Sequence, residues 1–112
     1  MLKPAIAVLS LAAAAAASAQ GSDKPSASAY DMHQLMLNGA HESMGMKPSA
    51  DLDRDFVVMM RHQHKISVRL AEHELQHGKD PRARELAKKI AETQKKEMEE
   101  LDAWLKGRAG QR

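Results

Sequence analysis

The stretch His77-Gly78-Lys79-Asp80-Pro81 decides the fold. Glycine is a frequent helix-ending residue, aspartate caps the start of a helix, and proline suits its first position because that residue's N–H has no intrahelical partner. These five residues therefore read as the end of one helix and the start of another. Upstream, a step of 100° per residue gathers Leu52, Phe56, Met60, Gln63, His64, Ser67, Leu70, Ala71 and Leu75 on one face. Downstream, Ala83, Leu86, Ala87, Ile90, Gln94, Glu97, Leu101, Trp104 and Leu105 share another. Ser49 is placed to cap the first helix, with Asp51, Asp53 and Asp55 in the opening turns where the helix dipole favours negative charge. The pattern predicts an antiparallel helical hairpin over residues 49–106 and an unstructured tail over 107–112.

A two-helix hairpin cannot bury both of its apolar stripes, because small chains cover too little of their own surface. The expectation is an all-α fold in which a homodimer completes a four-helix bundle. A short helix over residues 31–38, docked across the hairpin to give a three-helix monomer, is the alternative.

Residues 1–19 have the order of a cleavable signal peptide: Lys3, an apolar run from Ala5 to Ala17, and the ending Ala17-Ser18-Ala19 before Gln20. The apolar run is too short for a spanning helix, which needs about 20 residues, so no membrane association is expected after cleavage, and the periplasm is the expected location. Residues 20–29 are small and polar, and read as a disordered linker. Residues 30–48 form a Met/His-rich segment, helical at first and then interrupted by Gly39 and Gly45. The formal net charge of +2 falls by one when Lys3 leaves with the leader. With charges interspersed and one each of Phe, Tyr and Trp, nucleic acid is excluded as a partner. There is no cysteine, so no disulfide or thiolate is available and a soft metal ligand has to be methionine.

Polar residues within an apolar stripe carry the functional signal, since burying one without a partner costs about 1–3 kcal/mol. Gln63, His64, Gln94 and Glu97 fall there. His64 lies one turn beyond Met60, which makes a two-ligand chelate for Cu(I), with Met59 at the edge of the stripe. The competing reading pairs His64 with Glu97 and leaves Met60 as core filling. Six of the eight methionines, Met32, Met36, Met44, Met46, Met59 and Met60, lie between residues 32 and 60. Together with His33 and His41, the first four make the N-terminal segment an expected metal-capturing arm that folds over the ion. His62 is about 200° around the helix from Met60 and is expected to face solvent. His73-Glu74-Leu75-Gln76-His77 spells the zinc-peptidase signature, but no third ligand follows at an established spacing. A zinc hydrolase built on His73, Glu74 and His77 is the weakest reading.

From Asp51 to Leu105 the chain resembles the bacterial family called domain of unknown function 305, whose ferritin-like helical bundles include periplasmic copper-binding proteins. The carriers are Asp53-Arg54-Asp55-Phe56-Val57-Val58-Met59-Met60, Glu74 through Pro81, Leu86-Ala87-Lys88-Lys89-Ile90, and Gln94-Lys95-Lys96-Glu97 leading to Trp104-Leu105. The resemblance implies metal ligands at Met59, Met60 and His64. Gln63 stands where the family has a histidine, and Leu70 and Leu101 stand where it has methionines. The functional expectation is an exported, non-catalytic copper binder that exchanges metal with periplasmic copper-handling proteins. A metal-free helical interaction module is the alternative.

Overall fold

Each of the three helices among the described residues begins at a side-chain cap. The computed structural model describes residues 24–110, with α1 over Ala27–Met44, α2 over Leu52–His77 and α3 over Pro81–Ala109, and no strand among the described residues. Ser26 Oγ accepts the Ala29 N–H at 3.1 Å, Asp51 accepts the Arg54 N–H at 3.2 Å, and Asp80 accepts the Ala83 N–H at 2.8 Å. Each cap satisfies one of the four N–H groups that a helix start leaves unpaired. The hairpin and its Gly78–Pro81 turn are as the sequence predicts, and the fold is all-α. The signal peptide, residues 20–23 of the linker, and residues 111–112 lie outside the described residues.

Three local expectations are corrected. The N-terminal helix is 18 residues long rather than the eight of 31–38; it takes in residues 27–29 of the presumed linker and runs through Gly39. It ends at Gly45, whose N–H bonds to Glu42 O at 3.1 Å. Glycine in a helix interior costs about 1 kcal/mol relative to alanine, and here close approach offsets it. A Cβ on Gly39 would lie 2.5 Å from Ile66 Cδ1 on α2. The cap of α2 is Asp51, not Ser49; Ser49 instead donates from N at 2.7 Å and from Oγ at 2.6 Å to the Asp55 carboxylate, and so closes the α1–α2 turn. The third helix continues four residues past Leu105, so residues 107–109 of the presumed tail are helical.

At the hairpin turn Gly78 is extended, with φ −69° and ψ 150°. Its lack of a side chain matters because a Cβ would fall 2.0 Å from Glu74 Oε1 and 2.6 Å from Glu74 O. Arg84 Nη1 reaches back from α3 and donates to Leu75 O at 2.6 Å and Gly78 O at 3.1 Å. A cation is thereby placed on the orphan carbonyls at the negative end of α2.

The core between α2 and α3 is made of small residues: Ala71, Ala87 and Ala91 with Leu75 against them, while Val57 and Val68 are buried nearer the start of α2. Small side chains let the two backbones approach closely, and no large side chain is fully buried among the described residues. At 100° per residue, the buried line Val57, Val68 and Ala71 is centred about 70° from the middle of the α2 apolar stripe. On α3, Ala87 and Ala91 are likewise about 70° from the middle of theirs. Both stripes are rotated to the same side of the hairpin, here called the front. There Leu52 (81% exposed), Phe56 (59%), Leu86 (44%) and Ile90 (42%) meet water.

The α1 helix does not cover that front. It lies antiparallel beside α2, against His62, Ile66 and His73, nearly opposite the α3-facing line, and packs only on α2 among the described residues. The expected alternative of a short helix docked across the hairpin is therefore not what forms. The three helices lie side by side in one layer with α2 in the middle. The back of the layer is charged, with Arg61 paired to Asp102 and Lys95 to Glu72 at 2.7 Å.

Candidate metal site

Met60 and His64 project from α2 into a shallow groove of about 420 Å³ on the front, shared with Phe56, Glu97, Leu101 and Trp104. His64 is held at both ring nitrogens. Nδ1 donates to Met60 O at 2.7 Å, and because that carbonyl only accepts, the hydrogen bond assigns the Nδ1 proton. Nε2 faces Glu97 Oε2 on α3 and is paired with it. One ring N–H fixed on a backbone carbonyl is common for a metal-ligating histidine, but Nε2, the nitrogen left for an ion, is taken up here by Glu97, the pairing that the competing reading of the sequence expects. The donor set at the groove is one thioether, one imidazole nitrogen and the Glu97 carboxylate, with Glu100 at its rim. Thioether and imidazole suit Cu(I), and imidazole with carboxylate suits harder divalent ions. A cation bound there would replace the pairing of His64 Nε2 with Glu97.

Met59 does not join this group. It is 100° from Met60 around the helix and lines a second groove of about 410 Å³ at the α1–α2 turn, with Met46, Pro48 and Val58. The remaining predicted ligands lie around α1. Met32 is half-buried in the α1–α2 contact, whereas His33, Met36, His41 and Met44 are exposed, Met44 at 84%. The structure thus brings Met60 to His64 and Met46 to Met59, and keeps α1 on the opposite edge of α2 from α3. The expected arm folding over Met60 and His64 is corrected accordingly: the segment is already a docked helix, and its His/Met pairs, His33 with Met36 and His41 with Met44, stand one turn apart on a rigid support.

His62 was expected to face solvent and does not. Its Nε2 donates to Gly39 O at 3.1 Å, and His73 Nε2 donates to Ser28 O at 2.7 Å. The two histidines are eleven residues apart on α2 and their acceptors eleven apart on α1, about three turns in each helix. The two bonds therefore share one antiparallel register and hold α1 at both ends. His73 and His77 rings lie 4.5 Å apart, but His73 is engaged with α1. Among the described residues no group of three or more His, Cys, Asp or Glu side chains is placed to hold an ion. Sequence reasoning missed both histidine contacts because the acceptor carbonyls belong to a segment it took for loop. It also missed Glu100, whose place in the groove depends on the α2–α3 register.

Electrostatic pairs reinforce the layer. The Arg61 guanidinium holds Asp102 below the usual carboxylate range, and Asp102 in turn raises Arg61. The Arg108 guanidinium, then the Arg54 N–H, lowers Asp51, and the Ser49 hydroxyl and N–H lower Asp55. Arg108 also stacks over Trp104, 4.9 Å from the ring centroid, and so ties the end of α3 to the start of α2.

No described helix is long and apolar enough to cross a membrane. No curated protein matches the chain. A family model described as "Domain of unknown function (DUF305)" matches residues 6–105. With that match covering most of its length, and the small-residue hairpin that the matched segment builds, the chain belongs to the domain of unknown function 305 family.

Proposed function

We propose that this is an exported, non-catalytic copper-binding protein of the periplasm that buffers or hands on Cu(I) through histidine and methionine pairs one helical turn apart. The observation carrying this reading is the Met60–His64 groove, where Nδ1 of His64 is fixed on a carbonyl and Nε2 is turned toward a second helix. The helical form of α1 adds support, since it sets His33 with Met36 and His41 with Met44 at the same kind of spacing on an exposed surface. Export is supported by the signal-like order of residues 1–19. The experiment is an anaerobic Cu(I) titration against a competing chelator. Met60→Ala with His64→Ala is expected to weaken the tightest binding at least tenfold, about 1.4 kcal/mol, whereas His77→Ala leaves it unchanged. No competition below micromolar free copper, or equal small losses from both variants, rejects the copper role. The open apolar front favours a second reading, a helical interaction module without metal.

A further inference from the structure

We infer that the front of the layer is the seat of a second copy of this chain, packed antiparallel across a polar waist at the level of His64 and Ser67. The amphipathic stripes of α2 and α3 are each aimed about 70° away from their mutual contact and toward one common side. That arrangement belongs to helices with another layer in front of them, since a hairpin satisfied by itself would point both stripes inward.

Area agrees. Taking about 200 Å² for a large side chain, Leu52, Phe56, Leu86 and Ile90, exposed between 42% and 81%, leave roughly 450 Å² of apolar surface on the front in water. The half-buried Met60, Leu70, Leu101 and Trp104 on the same side add to it, and with the polar residues between them the front approaches the ~800 Å² of total surface that each partner contributes to a standard interface. Apolar surface of this extent on one face commonly marks an interaction site.

The distribution along the front selects the orientation. Cross-helix pairs Arg61–Asp102, His64–Glu97 and Asp51–Arg108 give the α2–α3 register, so Leu101 and Trp104 lie level with Phe56 and Met60, and Ile90 and Leu86 lie level with Leu70 and Leu75. Two apolar patches therefore flank a waist of Gln63, Ser67, Gln94 and Glu97. A two-fold axis in the interface, perpendicular to the helices and near Ser67, lays each apolar patch on the other and the waist on itself. Such an isologous contact is the commonest way a chain covers its own exposed face. A polar layer inside an apolar interface also sets register, as it does in coiled coils. The waist holds an unsatisfied group as well, since Gln94 Oε1 is buried without a hydrogen-bond partner.

On the copper reading above, this arrangement also bears on the metal site. Met60 and His64 supply two ligands on the face that the second copy covers, whereas α1 is on the far edge of α2. The partner would bring its own Met60–His64 half-site to the same interface.

The test is sedimentation equilibrium of the protein as expressed, in metal-free buffer across the micromolar range, together with single-cysteine cross-linking, which is clean because the chain has no cysteine. A dimer is expected without metal. Phe56→Glu with Ile90→Glu is expected to give a monomer of unchanged helical circular dichroism, while Lys88→Glu on the charged back stays dimeric. Ser67→Cys, near the axis, should oxidise to a symmetric cross-linked dimer, and Leu52→Cys, far from it, should not. A monomer at every concentration overturns the inference, whether the front is then covered by residues 1–23 or by a different protein. A dimer indifferent to the Phe56 and Ile90 changes, or one cross-linked equally well at Leu52→Cys, also overturns it. Because these readouts use no copper, a dimer that binds no Cu(I) would reject the proposed function and leave the interface standing.

Discussion

Replacing Gly39 by alanine tests whether close approach of α1 to α2 is what admits a glycine into the middle of a helix. In a helix interior alanine is better than glycine by about 1 kcal/mol, so a freely exposed site would gain stability. Here the new methyl would meet Ile66 Cδ1 at 2.5 Å, Cγ1 at 2.7 Å and Cγ2 at 3.2 Å. The terminal carbon could rotate away, but the β-branched side chain is stiff at χ1 in a helix, and Cγ1 and Cγ2 move only if α1 lifts. Overpacking of this kind costs about 1–3 kcal/mol, so Gly39→Ala should show a net loss of about 0–2 kcal/mol. Removing the obstacle should reverse the sign: in an Ile66→Ala background, Gly39→Ala should stabilise by about 1 kcal/mol, the full propensity gain. The coupling between the two positions is then about 1–3 kcal/mol, within the range for residues in contact. Urea unfolding of the four proteins at one protomer concentration, followed by circular dichroism, measures it. Equal stabilisation by Gly39→Ala in both backgrounds would refute the close-approach argument.

Replacing His62 and His73 together by alanine removes both bonds from α2 to the α1 carbonyls, each worth about 0.5–1.5 kcal/mol; hydrogen exchange should accelerate across residues 27–44 and stay slow in the buried part of α2 and α3. Exchange that rises equally in all three helices would mean α1 is not a separately docked unit. Asp80→Ala removes the cap of α3 and should cost about 1 kcal/mol in urea unfolding, whereas Asp80→Asn should cost little. Asp51 and Asp55 are held below the usual carboxylate range by Arg108 and by Ser49 respectively, so their stabilisation is complete above that range and disappears as pH falls through it toward their lowered folded values. An acid titration of helical circular dichroism should show this loss, and Asp55→Asn should flatten part of it; identical acid profiles would remove Asp55 from the account.

The hairpin and its turn were legible from single residues because their causes are local. Gly78, Asp80 and Pro81 act on backbone groups within one turn of themselves, and a 3.6-residue repeat needs no knowledge of what it will pack against. The Met60–His64 pair was legible for the same reason, since one helical turn sets it. Reading Gly39 as a breaker failed because local propensity disfavours glycine by only about 1 kcal/mol, less than a tertiary contact can return. Once α1 continued through Gly39, carbonyls at Ser28 and Gly39 came into line with His73 and His62, and a histidine expected in solvent and one read as part of a zinc signature became the means of docking. Only the tertiary structure decided that the arm lies beside α2, away from the Met60–His64 groove, because that depends on which sides of α2 the small residues leave free for close approach. It also decided that the apolar stripes look past each other toward an open front: sequence periodicity defines the direction of a stripe on its own helix, and the packing of Ala71 on Ala87 and Ala91 sets how far each helix is turned.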